Sequence, residues 1–195
     1  MSYTVDLSGL RQFQKNIDRI NKNREKFFRA AAKELAARLL RKVIKRTPVG
    51  VTARDAGYDI SDEAYKKYWA GYNGGTLRRG WTAKSEAEAE NGSGSGSDVA
   101  SFVNGLDVSH AGNTFTITVG NPVHYASFVE LGHRQTVGRY VPAIGKCLKR
   151  AWVPGQFMLK ISEDELQAQT PAILARNIEK WLMKIGGVRC LIMVL

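Results

Sequence analysis

The sequence SGLRQFQKNIDRINKNREKFFRAAAKELAARLLRKVIKR spans residues 8–46 and predicts one long α-helix. Apolar residues recur at steps of three and four, which places them on one stripe of a helix. The stripe consists of Leu10, Phe13, Ile17, Ile20, Phe27, Ala31, Leu35 and Leu39. Ser8 can cap the first turn, and Thr47-Pro48 ends the helix because proline disfavours α geometry in the residue before it. Such a helix is roughly 55 Å long, so one end should overhang the core or reach a neighbouring subunit.

The opposite face of this helix is strongly basic. Leu10 to Arg46 contains 13 lysines and arginines against three acids, a balance of +10, while the whole chain carries +11. One interpretation is a solvated face whose long side chains cover apolar surface with their stems. The other is attraction to a polyanion or an acidic protein. The candidate contacts in the second case are Lys22, Arg29, Lys33, Arg38, Arg41, Lys42 and Lys45.

Size and composition predict a single domain over residues 1–195. The apolar share of 44% is enough for a core, and no run is long enough to span a bilayer. The first residues lack the basic start and apolar centre of a signal peptide. Cys147 and Cys190 lie far apart, which indicates a reducing compartment and no disulfide framework. We therefore expect a protein made in the cytoplasm and kept there until it is assembled.

Two segments interrupt the predicted domain. Residues 50–74 form an insertion, in which Asp62 to Ala70 predicts a small helix. Its aromatic residues belong either to the core or to a surface that is buried on assembly, and they are Tyr58, Tyr65, Tyr68, Trp69 and Tyr72. Residues 84–98 are rich in Glu, Ala, Gly and Ser and predict a flexible loop, because they bury too little to offset chain entropy. Thr76 to Thr82, between the two segments, predicts a short strand.

The second half of the chain gives the clearest β pattern. Apolar and polar residues alternate on both sides of His110-Ala111-Gly112-Asn113, which predicts a hairpin with one buried face over Leu106 to Val119. Tyr125 to Leu131 predicts a short helix or turn. His133 to Val153 predicts a loop that could hold a short helix, and Phe157 to Ile161 predicts an extended segment.

Two helix starts follow near the end of the sequence. Ser162 to Glu165 is a capping box, and Thr170-Pro171 supplies a second cap and first helical residue. We therefore predict a helix in two segments, bent near Pro171 and ending at Gly186-Gly187. Cys190 to Leu195 is strongly apolar and must pair with a sheet edge or a partner, because an exposed segment of this kind aggregates.

Residues for catalysis or metal binding do not occur at workable spacings. The histidines His110, His124 and His133 stand in or beside predicted turns and form no zinc pattern with Cys147. The sequence contains no nucleophile elbow, phosphate-binding glycine loop or HExxH motif. Glu130 is a lone acid among apolar residues, which favours a helix cap or a salt bridge. We predict no enzymatic activity, no cofactor and no metal site.

Three patterns, taken in order, resemble a known family. The basic helix runs into Thr47-Pro48-Val49, where the family has Ala-Pro-Val-Asp-Thr-Gly followed by Leu-Arg. Gly75-Thr76-Leu77-Arg78-Arg79-Gly80-Trp81 resembles the rest of that motif, displaced by the insertion. Tyr125-Ala126-Ser127-Phe128-Val129-Glu130-Leu131-Gly132 matches Tyr-Ala-x-x-Val-Glu-x-Gly at every specified position, and Pro154 to Leu159 resembles the segment before the last helix. The family comprises the head–tail junction proteins of tailed bacteriophages and prophages, the neck or tail-completion group that includes minor tail proteins.

The resemblance implies an α+β fold, in which a small antiparallel β-sheet is packed by the long N-terminal helix and a C-terminal helix. It also implies a hexameric ring between head connector and tail tube, assembled in the host cytoplasm and kept in the virion. The implied partners are further copies and the adjoining head-connector and tail proteins, with genomic DNA in the channel as a further candidate. The implied interface or motif residues are Thr76, Leu77, Arg78, Trp81, Tyr125, Ala126, Val129, Glu130 and Gly132. The split motif, the Gly-Ser loop and the apolar C-terminal residues leave open a full phage or a phage-like tail.

A structural subunit of such a neck, without catalytic activity, is the leading hypothesis. The alternative is a nucleic-acid-binding protein that uses the Leu10–Arg46 helix. This alternative lacks stacking aromatics between the basic positions, since Phe13, Phe27 and Phe28 are needed on the apolar face. A third hypothesis is an enzyme that acts on phosphorylated or acidic substrates.

Overall fold

Two long helices form the frame of the protein. A computed structural model describes residues 8–50, 74–92, 98–141 and 146–186. In chain order the helices are α1 (Ser8–Arg46), α2 (Thr76–Gly80), α3 (Glu86–Asn91), α4 (Val99–Asn104), α5 (Ala126–Leu131) and α6 (Met158–Gly186). The strands are β1 (Ser109–Ala111), β2 (Thr114–Thr116), β3 (Gly132–Arg134), β4 (Tyr140–Val141), β5 (Lys146–Cys147) and β6 (Trp152–Pro154). The prediction of α1 and of its end before Thr47-Pro48 is confirmed.

The helices α1 and α6 pack side by side in opposite directions. Near the end of α1, the Lys42 Nζ lies 2.9 Å from a carboxylate oxygen of Glu165, which is close to the start of α6. Farther back along α1, the Phe27 ring stacks on Trp181, near the end of α6, with centroids 4.6 Å apart. The order of these contacts is reversed between the two helices, so the pair is antiparallel.

The hydrophobic core surrounds the second half of α1. Leu40 and Val43 of α1 are completely buried, and small Ala36 and Ala37 allow other elements to approach the helix closely. The residues of the core are Ala36, Ala37, Leu40, Val43, Leu77, Trp81, Ala83, Ala89, Val103, Val123 and Met158. The short helices α2, α3 and α4 therefore cover one half of α1, with the first turn of α6.

The strands form small antiparallel ribbons, which confirms the α+β class. In the part of the chain that the structure describes, they make three separate pairs: β1 with β2, β3 with β6, and β4 with β5. The predicted hairpin is present, with His110 opposite Phe115. Its paired residues are mostly exposed, but Val108, just before β1, is buried. Leu106, Ile117 and Val119 pack against the core, so the predicted buried face is confirmed.

The predicted strand at Thr76 to Thr82 is wrong, because Thr76–Gly80 is helical. In a strand, charged Arg79 would lie on the same side as Leu77 and Trp81. In a helical turn Leu77 and Trp81, four residues apart, both reach the core, where both are buried. Tertiary packing therefore decides this segment. The short helix predicted within Tyr125 to Leu131 is confirmed as α5.

The predicted loop at residues 84–98 is wrong for Glu86–Asn91, which forms α3. The Ser85 hydroxyl caps α3 by accepting from the Glu88 N–H at 3.2 Å, and the Glu88 carboxylate accepts from the Lys84 N–H at 2.7 Å. Ala89 is completely buried in the core. One capped turn with one buried methyl group is thus enough to order this segment against α2.

The prediction of a loop at His133 to Val153 is also wrong, since this segment carries β3 to β6. Phe157 to Ile161 is not extended, because α6 begins at Met158. Ser162 and Thr170 are not caps; their hydroxyls donate to the carbonyl groups of Met158 and Leu166, inside a helix that continues through Pro171. The capping role at the start of α6 belongs to another residue.

Several predictions lie outside the described residues. They concern the helix at Asp62 to Ala70 with its aromatic residues, the Gly-Ser repeats at 93–97, and the apolar residues Cys190 to Leu195. Among the helices that the structure does describe, none combines the length and the apolar character that crossing a membrane requires.

Candidate functional site

The two halves of the first sequence pattern meet at the end of α1. The Trp81 indole N–H donates to the Thr47 hydroxyl at 2.8 Å, and this hydroxyl donates to the Val43 carbonyl at 2.7 Å. The Arg78 guanidinium donates to the Thr47 carbonyl through Nε at 3.2 Å and Nη2 at 2.8 Å. Thr47 and Trp81 are both buried. The insertion therefore separates the two halves in sequence only, and α2 locks the last turn of α1.

The helix α2 is also tied to the elements that follow it. Arg79 donates to the Ala89 carbonyl at 2.7 Å and to the Gly74 carbonyl at 2.8 Å. The Asn121 amide donates to the Leu77 carbonyl at 2.8 Å. The predicted site residues did not include Thr47, Arg79 and Asn121. Arg79 and Asn121 bond to the backbone of other segments, and the Thr47 hydroxyl accepts from the side chain of Trp81, far away in sequence.

The third pattern holds the start of α6. The Glu130 carboxylate accepts from the backbone N–H groups of Leu159 and Lys160, each at 3.0 Å. Glu130 is therefore a helix cap, as the sequence predicted, and its negative charge lies at the positive end of the α6 dipole. The Val129 and Glu130 carbonyls accept from the Gln156 and Phe157 N–H groups at 2.8 and 3.1 Å.

The other motif residues surround these two centres. Tyr125 is the N-cap residue of α5, and Ala126 and Val129 are partly buried against the core. Gly132 has a positive φ of 84° where α5 turns into β3, a conformation that a residue with a side chain rarely adopts. Thr76 is the first residue of α2. Most of the predicted motif residues thus stabilise helix junctions inside the subunit.

Two side chains of the third pattern point outward into an exposed apolar surface. Phe128 and Leu131 are 54% and 62% exposed. Trp152, Phe157 and Ile161 are exposed on the adjoining segments: Trp152 borders Gly132, and the Phe157 N–H donates to the Glu130 carbonyl. The Ile161 N–H in turn donates to the Phe157 carbonyl. We call these five exposed residues the junction patch: Phe128, Leu131, Trp152, Phe157 and Ile161.

Most of the predicted polyanion contacts are engaged within the subunit. The Lys33 Nζ donates to the Asn104 carbonyl at 2.7 Å, and Arg38 pairs with Glu34 at 2.7 Å. Arg29 binds Glu25 and the Val108 carbonyl, and Lys42 binds Glu165. The hydrogen bonds from Ser101, and to a smaller extent the charge of Arg41, lower the pKa of Asp98. Lys22 and Lys45 are exposed and bind no acid among the described residues.

Much of the unpaired positive charge of α1 lies in the first half of the helix. Residues 11–26 contain six lysines and arginines against Asp18 and Glu25, and we call this stretch the basic overhang. Its six basic residues are exposed, and their side chains make no hydrogen bond or ion pair in the described part of the chain. Within α1, the exposed cations without a partner are therefore concentrated in this stretch.

An ion-pair cluster joins the end of α1 to the beginning of α6. The hydrogen bond from Lys42, followed by the charge of Arg46, holds the pKa of the Glu165 carboxyl below its ordinary value of 4.5. Arg46 also donates to the Ser162 hydroxyl at 3.0 Å. The pKa of Glu34 is lowered as well, mainly by its hydrogen bond with Arg38.

This cluster predicts a loss of stability in acid. Because folding lowers the pKa of Glu165, the unfolded chain takes up the proton first, so the contribution is complete above about pH 4.5 and is lost as pH falls through the folded value. We expect Glu165→Gln to flatten the fall in urea midpoint between about pH 5 and pH 3. Glu163→Gln, two residues before it on α6 and without an ion pair to α1, should keep the wild-type profile. Identical profiles for both variants and the wild type would contradict this assignment.

Among the residues that the structure describes, no three or more His, Cys, Asp or Glu side chains come together to bind a metal ion. His124 pairs with Glu86 on the surface, and His133 lies beside Phe128.

Residues 11–132 match the sequence model of a family described as "Bacteriophage HK97-gp10, putative tail-component". The chain belongs to this HK97-gp10-like family. The match begins in the basic overhang, includes the Thr47–Trp81 cluster and ends at Gly132, so it covers all three sequence patterns. No curated protein and no solved structure matches the chain significantly. Membership of the HK97-gp10-like family confirms the resemblance to phage head–tail and tail proteins and supports a structural role in the virion.

Proposed function

We propose that the protein is a structural subunit of the neck of a bacteriophage or phage-like particle, where it joins head connector to tail or completes the tail as a ring of its own copies. The family match supports the structural role. The junction patch supports the finer assignment, because it adjoins the residues of the third pattern. The role needs no catalytic activity, and the subunit is incorporated into the virion after assembly in the host cytoplasm.

The junction patch has the composition of an assembly surface. Five large apolar side chains, two of them phenylalanines and one a tryptophan, are exposed on neighbouring segments, and aromatic residues are enriched where proteins associate. In a ring each subunit uses two different faces, so the patch would meet another surface of the next copy. The third pattern then has two roles: Glu130 orders α6, and Phe128 and Leu131 bind the neighbour.

Oligomeric mass tests this proposal. We expect the wild type to elute as a multi-subunit species in size-exclusion chromatography with light scattering, and to form rings in negative-stain images. The double variant Phe128→Ser/Leu131→Ser should shift the mass to one subunit, since its apolar contact is lost. The control Leu182→Ser/Met183→Ser removes exposed apolar side chains at the far end of α6 and should leave the mass unchanged. A wild type that stays monomeric and never joins tail components would overturn the proposal.

The basic overhang supports a second candidate, nucleic-acid binding. Its exposed cations are free to neutralise phosphates, whereas Arg38 and Lys42 are occupied by acids of the same chain. In a ring these residues could face genomic DNA in the channel.

A salt titration of DNA affinity separates the two candidates. The triple variant Arg19→Gln/Lys22→Gln/Lys26→Gln should reduce the slope of log affinity against log salt by roughly 3, one phosphate contact for each residue. The control Arg38→Gln/Lys42→Gln should keep the wild-type slope. Absence of wild-type binding at low salt would remove nucleic acid as a partner.

A further inference from the structure

The apolar stripe of α1 continues past the part of the helix that α6 covers. Phe27 lies under Trp181, but one turn and more toward the N-terminus the same face is bare. Leu10 and Phe13 are 64% and 62% exposed, and Ile17 and Ile20 are only partly buried. Four large apolar residues on one helix face, surrounded by the basic overhang, form a surface that water disfavours. We call Leu10, Phe13, Ile17 and Ile20 the bare stripe.

The antiparallel packing brings the end of α6 to the edge of this surface. Lys184 and Ile185, near the last described residue of α6, line a groove with Arg19 and Asn23 of α1. The last described residues of α6 therefore lie beside Arg19 and Asn23, which flank Ile20 in sequence at the start of the bare stripe.

The residues that follow have the complementary composition. Residues 188–195 read VRCLIMVL, in which Arg189 is the sole charged residue. The distance along α1 from Ile20 to Leu10 is about 15 Å. Eight residues span about 12 Å as a helix, which covers most of the stripe, and up to about 28 Å when extended, which covers all of it.

We propose that residues 188–195 dock on the bare stripe of the same chain and complete the hydrophobic face of α1. The tether favours this occupant, because a segment attached beside its binding surface has a high effective concentration there. Burial of Leu10 and Phe13 under this segment would leave the basic overhang exposed on its remaining faces. The proposal does not depend on the ring or on the junction patch.

Disulfide trapping with the native Cys190 tests the contact. In a Cys147→Ser background, Phe13→Cys places a thiol on the bare stripe, and the matched control Lys15→Cys places one on the opposite face of the same helix. Both positions are exposed, so neither substitution should perturb folding. Under mild copper-phenanthroline oxidation we expect the bond within one molecule to form at least ten-fold faster for Phe13→Cys, measured by mass spectrometry of non-reduced peptides. Equal rates for the two variants, or bonds formed only between molecules, would overturn docking within one chain.

Limited proteolysis provides a second measurement. A variant that lacks residues 188–195 should be cut by trypsin after Arg11, Lys15 or Arg19 at least five-fold faster than the wild type, because the first turns of α1 lose their cover. Circular dichroism should show that the rest of the helices remain folded. Unchanged cleavage rates would show that the bare stripe has another occupant or none.

Discussion

Replacing Trp81 with alanine is expected to lower the free energy of unfolding by about 3–5 kcal/mol, the usual cost of deleting a large buried aromatic side chain. Trp81 is buried in the core, and its indole N–H binds the Thr47 hydroxyl that closes α1. The loss should therefore combine a cavity beside Leu40 and Val43 with a weaker hold on the end of α1. Chemical denaturation followed by circular dichroism gives the magnitude.

Two further variants separate packing from hydrogen bonding. Trp152→Ala removes a half-exposed tryptophan of the junction patch and should change stability by no more than about 0.5 kcal/mol. Thr47→Val keeps the volume but leaves the Trp81 N–H buried without an acceptor, which should cost about 1–3 kcal/mol. If Trp81→Ala were no more harmful than Trp152→Ala, the Thr47–Trp81 cluster would not be a centre of the fold.

The elements that the sequence predicted correctly are those with a hydrophobic or turn pattern contained in one continuous segment. The apolar stripe of α1 repeats over about eight turns, and Pro48 marks its end, so the helix and its C-terminal bound follow from periodicity and backbone sterics. The hairpin is predicted for a similar reason, since Gly112-Asn113 supplies the turn between alternating residues. Glu130 was recognisable as a cap because a lone acid beside apolar residues needs a partner.

The predictions for the short elements were wrong because contacts with residues far away in sequence decide their conformation. The helices α2 and α3 contain five and six residues, too few for local propensity to hold them alone. Arg79 stabilises both by bridging the Gly74 and Ala89 carbonyls, and no spacing rule reveals which backbone an arginine will bind. Ser162 illustrates the opposite error: its capping-box pattern is real, but α6 begins earlier, because Glu130 supplies a cap from another segment.

The site residues stay a prediction, but the structure shows how the side chains of that segment are arranged. The pattern from Tyr125 to Gly132 indicated the segment, yet sequence alone did not divide it into buried and exposed residues. That division follows from α5, which turns Val129 toward the core and leaves Phe128 and Leu131 outside. The basic positions show the same limit, since their internal partners, such as the Asn104 carbonyl for Lys33, are far away in sequence.

Gly155→Ala should be among the most damaging substitutions that add a single methyl group to this protein. A Cβ at this position would lie 2.6 Å from the Leu131 carbonyl carbon and 2.8 Å from the Gly132 nitrogen, and closer still to the Glu130 carbonyl oxygen. These are backbone atoms, so relief requires α5 and α6 to separate, which would break the hydrogen bond from the Gln156 N–H to the Val129 carbonyl. We expect a loss of about 3 kcal/mol, at the upper end for an overpacked core.

Amide hydrogen exchange locates the damage predicted for Gly155→Ala. The amides of Leu159 and Lys160, which donate to Glu130, should lose protection in this variant, because the carboxylate moves away with α5. The control Gly120→Ala adds the same methyl group where no atom lies within 4 Å, and should stay within about 0.5 kcal/mol of the wild type. Normal protection of both amides in Gly155→Ala would mean that the capped start of α6 tolerates separation from α5, and the third sequence pattern would then need a reason other than internal packing.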